Sequence, residues 1–475
     1  MKREHRLLHN LGKLAIALSV AFAISQAQAG MQWWDRNGTT TGAGGPSPNG
    51  TWDLTTANWT PAGSSTGTAA TTTWVQANTA IFSAGQPAPG DATGSYTITV
   101  GGAITAAGLR HYSGNNASGK ITYADGGGSI TMVGGGAGAF YMHSTGPRYI
   151  DIYAKLGSDS GGISFSKAGN GEVTLYNSAN NFSGPIDIRS TGMILRMGAA
   201  GVIPTGVTML TSTAGGAILD LNGFSTAFDT VKGNVLLNNL NAGRSFTFRA
   251  PAGETYSGAV SGNGDLIKNG SGALTMSGTS SSFNGNLKIN QGTLTLSGTL
   301  GSSATIDLNG GALTVSTYTL GAGQTLKGGG NITGNINGNG TITPGHSIGN
   351  LNVIGALTLS STANLNMEID RNGGAFLADK ISASSIAEAG TLNILNIGAA
   401  LQLGDTFDLF DGTLSLSFGM INTPALSDPN WYWDLTGLDA GGDGTIVVAL
   451  VPEPSTAACF GLGVAALLIL RRRRA

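Results

Sequence analysis

The chain has 475 residues, 77 of them glycine, with 40% hydrophobic and only 11% charged side chains and a formal net charge of −2. So apolar a composition excludes a solvated disordered tract, and without a basic cluster in its body the chain is not built for nucleic acid. Something in it is packed, and the order of its elements says what.

The N-terminus comes first. Lys2, Arg3, Arg6 and Lys13 precede an apolar stretch from Leu14 to Ile24 and the small-residue site Ala27-Gln28-Ala29. Basic n-region, apolar h-region and A-x-A site read as a signal peptide over 1–29, with Ala27 and Ala29 as the signal peptidase site and Gly30 as the mature start. The Sec machinery and signal peptidase are the partners this implies. Four of the 24 Lys and Arg lie in this leader and four in the last five residues, whereas Glu4 is the leader's only acid among 26 Asp and Glu. The exported part is therefore near −9, unsuited to anionic lipid as well as nucleic acid. The single cysteine, Cys459, lies in the tail, so disulfides do not hold the exported part.

Residues 30–94 carry five of the seven tryptophans: Trp33, Trp34, Trp52, Trp59 and Trp74, among Asn-Gly turns. Two readings are open. The structural one makes the region a cap on the first coil of a repetitive fold. The functional one makes the indoles a glycan-stacking platform, since aromatic faces suit the apolar faces of sugar rings. Trp431 and Trp433, beside Tyr432, are expected to close the other end.

Over 95–450 short runs alternate apolar residues with Thr, Ser or Asn, as in Tyr96-Thr97-Ile98-Thr99-Val100 and Leu365-Asn366-Met367-Glu368-Ile369. Period two, punctuated by glycine and asparagine, predicts strands. Ser382 to Glu388 comes nearest to an amphipathic helix and is too short. An internal repeat points to the architecture. Lys167-Ala168-Gly169-Asn170-Gly171-Glu172-Val173-Thr174-Leu175 recurs as Lys268-Asn269-Gly270-Ser271-Gly272-Ala273-Leu274-Thr275-Met276. In the same register Phe182-Ser183-Gly184 falls on Phe283-Asn284-Gly285. These units, at 167–198 and 268–298, resemble the autotransporter-associated β-strand repeat. Thr343-Pro344-Gly345-His346-Ser347-Ile348-Gly349 and Leu403-Gly404-Asp405-Thr406-Phe407 resemble later elements of such passengers. A unit this short cannot bury its apolar face alone and must stack, which predicts an all-β, right-handed parallel β-helix. Coils of about 22 residues are expected. An antiparallel sandwich or barrel competes, because Asn337-Gly338 between Ile336 and Ile342 also reads as a hairpin turn.

Catalytic groups do not assemble in the sequence. Asp405, Asp408 and Asp411 are spaced by three, which on a strand alternates faces. Asp370-Arg371 and Asp379-Lys380 read as solvated turns or neighbouring ion pairs. His111, His143 and His346 lack partners at ligand spacing, so no metal or other cofactor is expected. Gly441-Gly442-Asp443-Gly444 is a single, unrepeated match to calcium-binding nonapeptides. Gly126-Gly127-Gly128 and Gly134-Gly135-Gly136 lack the Lys-Ser or Lys-Thr of a phosphate loop.

The tail, 451–475, joins Pro452-Glu453-Pro454, an apolar run from Ala457 to Leu470 and Arg471, Arg472, Arg473 and Arg474. It resembles the PEP-CTERM sorting signal of Gram-negative bacteria, which implies removal by an exosortase. As a transmembrane helix Thr456 to Leu470 reaches about 22 Å, short of a hydrocarbon core of roughly 30 Å, a gap that snorkelling arginines can close. The arginines hold that end in the cytoplasm. The expectation is a non-enzymatic protein, transiently anchored in the inner membrane and then displayed at the cell surface or in the extracellular matrix with exopolysaccharide. A polysaccharide-active enzyme or a glycan-binding surface protein on the same scaffold is the alternative. A classical autotransporter would need its own C-terminal barrel, where this chain has a sorting tail.

Overall fold

The computed structural model of the chain describes residues 30–452, apart from 62–65, 83–93, 113–118, 135–137, 144–147, 160, 168–170, 208, 213–214 and 373–374. Ala27, Ala29, Glu453, Pro454 and Arg471 to Arg474 lie outside the described residues. Among the described residues the fold is all-β, with one 3-10 turn at Thr436–Leu438, in two compact units that divide between Asp220 and Leu221.

In the first unit three parallel sheets recur from coil to coil. One runs through Thr79–Phe82, Gly108–Tyr112, Gly138–His143, Ile163–Lys167 and Ile186–Ile188. A second takes Tyr96–Val100, Lys120–Asp125, Arg148–Ile152, Gly171–Leu175, Ile194–Met197 and Ile218–Asp220. The third takes Ala103–Ala106, Ser129–Met132 and Lys155–Ser158. Register puts like on like: Ile121, Ile150, Val173, Leu195 and Leu219 form one buried line. Strands about 4.8 Å apart bring each member of the line against the next, and full burial of such a side chain stabilises by about 1.5–3 kcal/mol. Strand pairing one full coil onward, in parallel, is the β-helix arrangement.

The second unit follows the same rule. Phe246, Leu266, Leu287, Ile306, Leu326, Ile342, Leu365 and Leu392 stack in register and are all buried. Coil lengths run from 16 residues (Thr325 to Thr341) to 30 (Asn350 to Lys380) and so scatter around the expected value. Asn337 does not turn a hairpin. It lies inside the continuous strand Thr325–Gly338 and pairs in parallel with Thr319 and Thr358, which rules out the sandwich. Ser382 to Glu388, the nearest approach to a helix, falls but for its last residue in the strand Lys380–Ala387. Antiparallel pairing joins Met31–Trp34 to Trp59–Thr60 in the first unit; in the second it joins Asn364–Asn372 to Ala375–Ala378, and Thr406–Asp408 and Trp431–Asp434 to Thr445–Leu450.

The internal repeat has a mechanical explanation. Gly270 adopts φ +98°, and a Cβ there would overlap the carbonyl oxygen of Arg249 one coil earlier. Only glycine can pass so close with that backbone. The lysine that opens each repeat serves the corner: Lys268 Nζ donates to the carbonyls of Gly270 (2.8 Å) and Gln291 (3.1 Å), and Lys167 Nζ to that of Gly192 (2.7 Å). Burial pushes both amines below their ordinary pKa. Phe182 and Phe283, the aromatic of each copy, are buried, and a Cβ on Gly285 would overlap the carbonyl of Gly264.

Candidate functional site

The tryptophans are distributed differently from a sugar platform. Trp34, Trp52, Trp59 and Trp74 are at most 4% exposed. Their rings pack on one another and on Phe82, with Trp59–Trp74 centroids 4.6 Å apart and Trp34–Trp59 5.2 Å apart. A face spent on a neighbouring indole is closed to a pyranose, so the stacking expectation for these four is corrected; Trp33 is half-buried. The line of rings continues into the coil interior as Phe82, His111, Phe140 and Phe165, stacked at 5.3 to 5.6 Å. His111 belongs to this core and meets the Tyr123 hydroxyl at 2.6 Å. In the second unit Trp433 is half-buried and donates from Nε1 to the carbonyl of Pro424 at 2.9 Å.

The acidic candidates go to separate structural partners. Asp405 is buried, accepts the amide of Gln402 (2.7 Å) and pairs with Arg371 (3.1 Å); Asp408 pairs with Lys380 (2.6 Å). Asp379 is no solvated turn. It is fully buried and accepts the amides of Gly349 and Glu368, both at 2.8 Å, while burial pushes its pKa up to about 6. It thereby ties down the Pro344–Gly349 turn, where His346 Nε2 reaches back to Asp307 at 2.7 Å beside Lys327 at 3.4 Å. The side chain of His143 lies outside the described residues. Asp443 Oδ1 accepts the amide and hydroxyl of Thr445, closing its own turn. Among the described residues no three His, Cys, Asp or Glu side chains gather as a metal site.

Two outward features remain. In the second unit a cleft of about 1110 Å³ opens beside Ala312–Leu320, lined by hydroxyls that include Thr295, Ser297, Thr314 and Ser316. Its lining has no carboxylate, imidazole or amine. Its one titratable group is Tyr318, whose phenol burial pushes up to about 12. In the first unit the second sheet turns a row of tyrosines outward. Tyr149 and Tyr153 are 44% and 42% exposed, and Tyr153 lies parallel on Tyr176 of the next coil, centroids 4.3 Å and planes 6° apart. Between and below them, buried Asp151 pairs with Lys120 (2.6 Å), and Arg196 bridges Glu172 and Asp220, the latter at 2.8 Å. Lys120 is held above its ordinary pKa by its hydrogen bond to Asp151, and burial with the nearby Asp151 charge raises Tyr176. The tyrosines carry no sequence signal beyond alternation; only the register brings residues 23 positions apart face to face.

The chain leaves the second unit along Thr445–Leu450, the central strand of a three-stranded antiparallel sheet. The Val451 amide makes a last bond to the Asn430 carbonyl at 2.7 Å, and Val451 and Pro452 are exposed. Among the described residues no helix is long and apolar enough to cross a membrane. Residues 450–474 match the PEP-CTERM protein-sorting motif, and 165–193 and 266–296 match the passenger-associated-transport repeat. A 123-residue stretch is 36% identical to the adhesin BmaC autotransporter of Brucella suis biovar 1 (strain 1330). That match takes in 25% of this chain and 4% of the relative's length. Repeats and motif together mark an exported, cell-surface protein: a parallel β-helix carrying two passenger-associated-transport repeats and ending in a PEP-CTERM sorting motif.

Proposed function

We propose that this chain is a non-enzymatic structural or adhesive protein of the cell surface or extracellular matrix, exported through a cleaved signal peptide and held briefly in the inner membrane by its tail. An exosortase then releases it at the Pro452-Glu453-Pro454 signature, and it associates with exopolysaccharide. Residues 30–94 act as the cap of the first coil, their indoles closing an end that would otherwise template edge pairing. The observation that carries this reading is the end of the second unit: a β-helix with passenger-type repeats finishes in a hydrogen-bonded sheet at Leu450, and Val451 and Pro452, at the start of the matched sorting motif, are exposed. The similarity to an adhesin and the separate structural pairing of the carboxylates both support a role without chemistry.

Intact-mass measurement of the protein recovered from cell-surface and medium fractions tests it. The expected species runs from Gly30 to the neighbourhood of Pro452. A surface species retaining Arg471 to Arg474 would refute release, and a cytoplasmic species retaining Met1 would refute export. Neutral residues at 471–474 should strand or destabilise the anchored intermediate, since those arginines set the topology; unchanged fractionation of that variant would count against the anchoring step.

A further inference from the structure

We infer that the outward face built from Tyr149, Tyr153 and Tyr176, with Lys120 and Arg196 beside it, binds an uncharged polysaccharide whose sugar ring lies on the phenol of Tyr153. The inference rests on the reading of the chain as an exopolysaccharide-associated surface protein and names the contact that reading lacks. Tyr153 and Tyr176 follow each other on successive coils, each amide bonded to the coil before, Tyr153 to Tyr123 and Tyr176 to Ile152. The register therefore continues through the column as Ala124, Tyr153, Tyr176, Gly198. A Cβ on Gly198 would lie 2.5 Å from Cε1 of Tyr176, so Tyr176 leans over the glycine and fixes the ring above it. On the opposite side the column offers only the methyl of Ala124, and Tyr153 remains 42% exposed. The platform is thus supported from below and open above, and a tyrosine has few rotatable bonds to immobilise on binding.

Charge selects the class of glycan. Lys120 and Arg196 face three carboxylates, Asp151, Glu172 and Asp220, all buried and each already engaged with one of the two cations. The cluster sums to a slight negative charge with its cations paired, which disfavours uronate or phosphate. The half-exposed Lys120 and Arg196 still present N–H donors to hydroxyls, and Tyr149, four residues back along the strand on the same outward side, gives a second ring about 13 Å away.

The test is affinity electrophoresis of the mature chain in gels holding the neutral or the acidic fraction of polysaccharide from the producing cells. The neutral fraction should retard the protein. Tyr153→Ala should weaken retardation about tenfold, Tyr149→Ala less, and Tyr153→Phe should keep it, because the ring and not the hydroxyl makes the contact. Unchanged thermal midpoints of these surface variants identify the loss as one of binding; should Tyr153→Ala unfold, Tyr149→Ala with Tyr153→Phe carries the comparison. Retardation by the acidic fraction alone, by neither, or equally by wild type and Tyr153→Ala would overturn the inference. A surface species of the expected mass that fails to bind would overturn it while leaving the proposed function standing.

Discussion

The two units solve the same packing problem with different interiors. The first fills its early coils with rings, from the indole cluster through Phe82, His111, Phe140 and Phe165, while the second stacks aliphatic columns such as Leu266, Leu287, Ile306 and Leu326. A column of similar branched side chains lets each coil copy the last. Rings of different shape instead require each coil to be fitted to its neighbour. In this aliphatic stretch coil length varies little, Asp265, Asn286, Thr305 and Thr325 succeeding one another at 19 to 21 residues. The lesson is that the regular interior favours repetition and the aromatic one favours a unique end.

That contrast can be broken from the aromatic side first. Trp59→Ala removes a buried indole from a cluster of five rings and should cost about 4 kcal/mol, against about 3 kcal/mol for Leu287→Ala in the aliphatic column. Urea unfolding of the isolated mature chain measures both. A larger loss for Leu287→Ala would show that the columns, not the ring cluster, limit stability.

The second perturbation acts on the late coils through pH. Asp379 has its folded pKa near 6, above the ordinary 3.8, because burial outweighs its two amide bonds. Its contribution is therefore fully present below pH 3.8 and is lost as pH rises through 6. Relative to Asp379→Asn, the wild type should lose about 3 kcal/mol between pH 3.8 and 7.5. A stability difference that stays flat across that range would show that Asp379 titrates normally.

A smaller effect is expected at the repeat's corner. Gly270→Ala meets both the positive φ and the Arg249 carbonyl and should destabilise by about 2 kcal/mol, whereas Gly253→Ala, with open space around its Cβ, should change little. Equal midpoints for the two variants would remove the steric account of the repeat.

Much of the fold was legible in the chain alone because a parallel coil reuses one chemical pattern. Period-two alternation, glycine punctuation and the match of Lys167 to Lys268 and Phe182 to Phe283 encode local geometry, and local geometry repeated is a solenoid. The sorting tail was legible for a similar reason, its chemistry being contiguous in sequence. Contacts between coils were not. Burial of Trp34, Trp52, Trp59 and Trp74, the pairing of Asp405 with Arg371, and the drying of Asp379 depend on residues brought together from distant positions. The tyrosine face needed register as well: Tyr153 and Tyr176 meet only because the intervening coil returns the chain one strand spacing away. Sequence by itself determined the kind of strand, the need to stack and the sorting motif, since each follows from neighbouring residues. The tertiary structure decided which aromatic faces are closed and which remain open, because exposure is set by the coil above and the coil below.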